Sequence, residues 1–121
     1  MKPLLDFIAR HWIPISAVLL AAITALSLWP LETLPEVPGG DKLHHAIAYA
    51  ALMFPAALTR PKHLWAIFLF YLAWSGAIEL IQPYVNRYGE WMDLTANLFG
   101  ISSGFLIGSR ARLLFREPLL N

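Results

Sequence analysis

The sequence predicts an all-α integral membrane protein, a single domain in which a four-transmembrane-helix bundle keeps both termini cytoplasmic. Three observations predict it: a composition too apolar for a soluble domain, four apolar stretches of about bilayer length, and lysines and arginines concentrated in alternate connections. Of the 121 residues, 58% are hydrophobic and 14% charged, against roughly 25% charged in a soluble domain. No basic run is interleaved with aromatics, so nucleic-acid binding has no support. The absence of cysteine removes disulfides, thiol nucleophiles and thiolate metal centres.

A hydrocarbon layer about 30 Å thick takes about 17 to 25 mostly apolar helical residues. The first such stretch runs from about Ile13 to Trp29 and holds no charge. The second, about Leu43 to Thr59, is short, carries His44 and His45 near its start, and contains Pro55, which predicts a kink. The third, about Leu64 to Gln82, is uninterrupted until Glu79, and Pro83 follows it. The fourth, about Trp91 to Ser109, has Asp93 and Asn97 in its first turns. Trp12, Trp29, Trp65 and Trp91 stand at these ends, where an amphipathic ring prefers the headgroup level. Pro30, Pro35, Pro38, Gly39 and Gly40 keep the first connection from being helical. The first stretch also has a competing reading as a secretory signal, with Lys2 and Arg10 ahead of it and Ala25-Leu26-Ser27 as a faint cleavage site. Its apolar core is longer than a usual signal h-region.

Orientation follows from the cations. Lys2, Arg10, Arg60, Lys62, Arg110, Arg112 and Arg116 lie in the N-terminal arm, the second loop and the C-terminal tail, whereas Lys42 and Arg87 lie near the first and third loops. Positive charge is retained inside, so the termini and second loop are expected in the cytoplasm.

With that topology the residues that do not belong in lipid gather on the outer side. Asp41, Lys42, His45 and Tyr49 open the second helix, Glu79 and Gln82 close the third, Arg87 is in the outer loop, and Asp93 and Asn97 open the fourth. Asp41, His45 and Tyr49 share one helix face, as do Glu79 and Gln82, and Asp93 and Asn97. His45, Glu79 and Asn97 fall about one turn, roughly 5 Å, below the boundary. A shallow, outward-facing polar pocket with Tyr49 at its floor is the expectation. Plainer roles compete: Asp41 and Asp93 as helix N-terminal caps, Lys42 snorkelling to headgroups, His45 as a hydrogen-bonded packing residue, and Gln82 as an interfacial side chain.

Glu79 stands apart. It lies near a helix C-terminus, where the dipole disfavours negative charge, and deep enough that an isolated carboxylate is costly. It is expected to be protonated or paired with Arg87, Lys42 or a protonated His45, Arg87 being favoured for its bidentate grip. On the fourth helix, Asp93, Asn97, Gly100, Gly104 and Gly108 form one stripe. Its small residues suit close helix packing, within the chain or in a homodimer.

These residues carry a family resemblance. The run Asp41-Lys42-Leu43-His44-His45-Ala46-Ile47-Ala48-Tyr49, then Glu79-Leu80-Ile81-Gln82, Arg87, and Asp93-Leu94-Thr95-Ala96-Asn97 with Gly100 and Gly104 resembles the VanZ-like membrane proteins over roughly residues 41 to 108. The chain departs from that pattern at Ile78, where the family often has an acid, and at Ala46, where it often has an aromatic. The resemblance implies a bacterial inner-membrane protein of the cell envelope, in a family whose founding member is associated with resistance to the glycopeptide teicoplanin. It implies no established reaction and no cofactor.

Three functions fit the constellation. The first is recognition of an anionic headgroup, of a membrane lipid or a lipid-linked wall precursor, with Lys42, Arg87 and two helix N-termini supplying positive potential and Asp41, Tyr49, Gln82 and Asn97 as further contacts. The second is hydrolysis or transfer at a headgroup, with His45 as general base beside Glu79 and Asp93. The same three could hold a divalent metal, but no zinc-type spacing is present, so none is expected. Proton-coupled transport through Glu79 comes last, since no charge is expected in the inner half of any helix.

Overall fold

The computed structural model of the chain describes residues 2–29, 41–85 and 91–115. Five helices make it up: α1 (Lys2–Arg10), α2 (Trp12–Ser27), α3 (Asp41–Thr59), α4 (Leu64–Ile81) and α5 (Trp91–Phe115). A single 3-10 turn, Gln82–Val85, extends α4. No strand occurs among the described residues, so the chain is all-α.

The four expected helices are α2 to α5, with shifted ends. The second begins at Asp41 rather than Leu43, and the fourth continues to Phe115 rather than Ser109. α1 was not expected. Its nine residues are too few to cross a bilayer, but they are amphipathic, and they bury Leu5 and Ala9 against Leu58 with Ile8, Phe54 and Ala111 packed around them. Burying that face folds α1 under the end of the bundle, 77° from the axis of α2.

Among the described residues, one helix is long and apolar enough to cross a membrane: Leu64–Tyr84, 21 residues with a mean hydropathy of 1.8. The bent pair α1 and α2 becomes a second if counted as one span. α2 alone has 16 residues. α3 and α5 are long enough, at 19 and 25 residues. Lys42, His44 and His45 in the one, and Asp93 and Asn97 in the other, dilute their apolar character.

α3 and α5 form the central seam. The stripe Gly100, Gly104 and Gly108 lies flat on α3, where a Cβ at Gly100 or Gly104 would strike the carbonyl of Ala46 or Ala50. α3 answers with small residues of its own, and the stripe is therefore used inside the chain. Tyr49, Leu52, Met53, Ala56, Leu64, Tyr71 and Ile101 make the core, closed by Trp12, Leu19, Leu20 and Ile23 of α2 and by Ile67, Phe68 and Phe105. α3 runs through Pro55 as one helix.

The far end of α3 is tied down. Arg60 adopts the left-handed conformation (φ 56°) and donates its N–H to the Ala56 carbonyl at 2.8 Å. Arg112 of α5 donates to the carbonyls of Leu58 (3.3 Å) and Thr59 (2.9 Å), which have no acceptor role left within the helix. Arg60, Lys62, Arg110 and Arg112 thus share one end of the bundle, and α3, α4 and α5 each present their polar residues at the other.

Candidate functional site

The first turns of α3, the last turns of α4 and the first turns of α5 meet at that other end. The nitrogen of Lys42 lies 2.5 Å from Oδ1 of Asp93. One turn deeper, Nδ1 of His45 is 3.0 Å from Oδ1 of Asn97, and Nδ2 of Asn97 donates to the hydroxyl of Ser75 at 2.7 Å. The Ser75 hydroxyl also hydrogen-bonds with Tyr49, which lies within electrostatic reach of Glu79. A nitrogen of His45 and one carboxylate oxygen each of Glu79 and Asp93 lie within 4.8 Å of one another.

The cluster is tighter than the open pocket expected. Glu79 is 5% exposed, Asp93 4% and Asn97 2%. Tyr49, Ser75, Asn97 and His45 are joined by hydrogen bonds across α3, α4 and α5. Lys42 is the link to the outside: its side chain is 44% exposed while that of its partner Asp93 is 6% exposed.

Nine residues were marked from the sequence. Lys42, His45, Tyr49, Glu79, Asp93 and Asn97 come together as described. Gln82 is buried but turns to α2, donating from Nε2 to the Ser27 carbonyl at 3.0 Å, so it closes a helix end. Asp41 is the first residue of α3; its side chain, and the whole of Arg87 with its expected grip on Glu79, lie outside the described residues. Ser75 was not marked, because a lone serine in an apolar helix carries little weight. The available signal was its position four residues before Glu79, on the same face.

The hydrogen bonds set the chemistry. With its amide nitrogen committed to Ser75, Asn97 presents its oxygen to His45, and Nδ1 of the imidazole donates to it. A histidine held this way beside two buried carboxylates can accept a proton or ligate a cation. No contiguous motif joins these donors in the sequence; three separate helices supply them. His44 is not among the converging donors, as a neighbour about 100° round the helix should not be. The surface groove between α2 and α4 is lined mostly by apolar side chains, with Ser16 and Tyr71 among them, and shares no residue with the cluster.

Set against known protein families, curated proteins and solved structures, the chain matches none of them.

Proposed function

We propose that the chain is a VanZ-like protein of a bacterial inner membrane, a four-span bundle with both termini cytoplasmic, whose polar cluster sits near the outer face and recognises the anionic headgroup of an envelope lipid or lipid-linked wall precursor. The membrane setting is supported by the surface of the bundle. Leu43, Ile47, Trp65, Leu69, Leu80, Phe99, Leu106 and Ile107 are all more than half exposed, far more contiguous apolar surface than water tolerates. Only 28% of the most apolar window of α4 is buried, whereas the core helix of a soluble protein would be covered. The outward orientation is supported by the cations at the end of α3, α4 and α5 opposite the cluster.

The single observation that carries recognition is the posture of Lys42. Asp93 anchors its ammonium, which has three donors, while nearly half of the side chain remains exposed. That exposed positive charge at the rim of the cluster is what a phosphate oxygen at headgroup depth would meet. Glycopeptide resistance of the teicoplanin type would then follow from altered display of a bound wall precursor. In nanodiscs, Lys42→Gln combined with Arg87→Gln is expected to weaken binding of phosphatidylglycerol by about tenfold, some 1.4 kcal/mol. Unchanged affinity would refute recognition through these cations.

A second function, hydrolysis or transfer at the headgroup, is favoured by the bonding of His45. Turnover of a labelled envelope lipid that disappears in His45→Ala is its test, and silence across a broad lipid panel removes it.

A further inference from the structure

We infer that His45, Glu79 and Asp93 form a binding site for one divalent transition-metal ion of the zinc or manganese type. The three donors come from three different helices and lie within 4.8 Å of one another. Ligands about 2.0 Å from a tetrahedral ion stand roughly 3.3 Å apart, so side-chain rotation has about 1.5 Å to close, and α3, α4 and α5 stay where they are.

Three further features suit a metal. The imidazole is oriented as ligating histidines are, with Nδ1 bonded to the carboxamide oxygen of Asn97, itself fixed by Ser75. The two carboxylates are 95% and 96% buried in one small volume, and Lys42 lies on one of them from the rim. A dication between the two offsets both charges at a single point. Gln82 shares the face of Glu79 one turn on, is 1% exposed, and has a carboxamide oxygen that accepts no hydrogen bond among the described residues.

One imidazole and two carboxylates select zinc or manganese over magnesium and calcium, which prefer oxygen alone. Three protein ligands leave a coordination position open. Resting on the headgroup function proposed above, that position would take a phosphate oxygen next to Lys42, so the ion and the ammonium would grip one anion from two sides.

The test uses the full chain, stripped with EDTA, in nanodiscs of phosphatidylcholine. Titrated Co2+ is expected to saturate at one ion per chain with the intense visible bands of a low-symmetry site, and Zn2+ to abolish them. His45→Gln, Glu79→Gln and Asp93→Asn should each weaken binding at least tenfold, and His44→Gln should leave it unchanged. Should a variant fail to fold, the wild-type chain still decides: Zn2+ is expected to protect His45, and not His44 or His63, from diethylpyrocarbonate, read by mass spectrometry. Absence of saturable binding, insensitivity to all three substitutions, or equal modification of His45 with and without Zn2+ would overturn the site. Phosphatidylglycerol binding measured beside it separates the two proposals. Headgroup binding that ignores EDTA, with no Co2+ bound, overturns the metal alone, and Co2+ binding without a headgroup preference overturns recognition alone.

Discussion

Asn97 is the residue on which the arrangement turns. It is 2% exposed, accepts from His45 and donates to Ser75. Truncating it takes one partner each from the half-buried His45 and the buried Ser75, and a lost buried hydrogen bond costs about 1–3 kcal/mol in water-soluble proteins and about 1–2 kcal/mol or less between membrane helices. Asn97→Ala is therefore expected to destabilise the chain by about 1–3 kcal/mol, read as a lower midpoint of thermal unfolding in detergent, and Ser75→Ala, which takes one partner each from Asn97 and Tyr49, should cost a similar amount. An Asn97→Ala chain as stable as wild type would mean that this network carries no load. Much of it was legible beforehand. The four-residue spacings Asp41–His45–Tyr49 and Asp93–Asn97 put those side chains on single faces whatever the fold, and an ionisable residue such as Glu79 draws notice in any apolar helix. Ser75 was not legible, because hydroxyls are tolerated in membrane helices by bonding within their own turn. Its cross-helix partners exist only once α4 and α5 are packed.

Among elements, the pairing of α3 with α5 sets where the cluster stands. Gly100 is one turn from Asn97, and a methyl group there would meet the backbone of Ala46, one residue from His45. Backbone cannot swing aside as a side chain can, so α5 has to lift away from α3. Gly100→Ala should then cost about 1–3 kcal/mol as overpacking does and separate Asn97 from His45 as well. Gly76 on α4 is the control: nothing lies within 4 Å of its missing Cβ, so Gly76→Ala is expected to be neutral or to stabilise by up to about 1 kcal/mol. Thermal unfolding of the pair measures both, and equal shifts would remove the close approach as the cause. The glycine stripe was visible in the sequence, whereas its partner was not, since small-residue spacing is the same for a seam within a chain and one between chains. α1 escaped for a different reason. Amphipathic and nine residues long, it gives no hydropathy signal and gains a purpose only from Leu58 and Ala111, residues about 50 and 100 places away.

For the whole molecule, the proposed topology has a consequence that labelling can read. Among the described residues, apolar length alone picks out α4, because the polar cluster takes the opening turns of α3 and α5 and lowers their average. The cations give independent direction. Arg60 and Lys62 join α3 to α4, and Arg110 and Arg112 close α5, at the end where α1 folds beneath the bundle with a partly exposed Lys2–Asp6 ion pair. If that end is cytoplasmic, α1 lies along the inner membrane surface rather than completing the span of α2, which fits its 77° bend and its amphipathic face. Since the chain has no cysteine, single cysteines report without background. In intact spheroplasts, a membrane-impermeant maleimide is expected to label Gly39→Cys and Tyr88→Cys directly, and Lys62→Cys only after permeabilisation. Labelling of position 62 from outside with 39 and 88 protected would turn the cluster to the cytoplasm, and with it any claim on headgroups displayed at the outer leaflet. Labelling of 39 and 62 from the same side would mean that α3 does not cross at all. The polar cluster would then be the interior of a bundle resting on one membrane surface, and the burial of Glu79 would no longer place it below a headgroup layer.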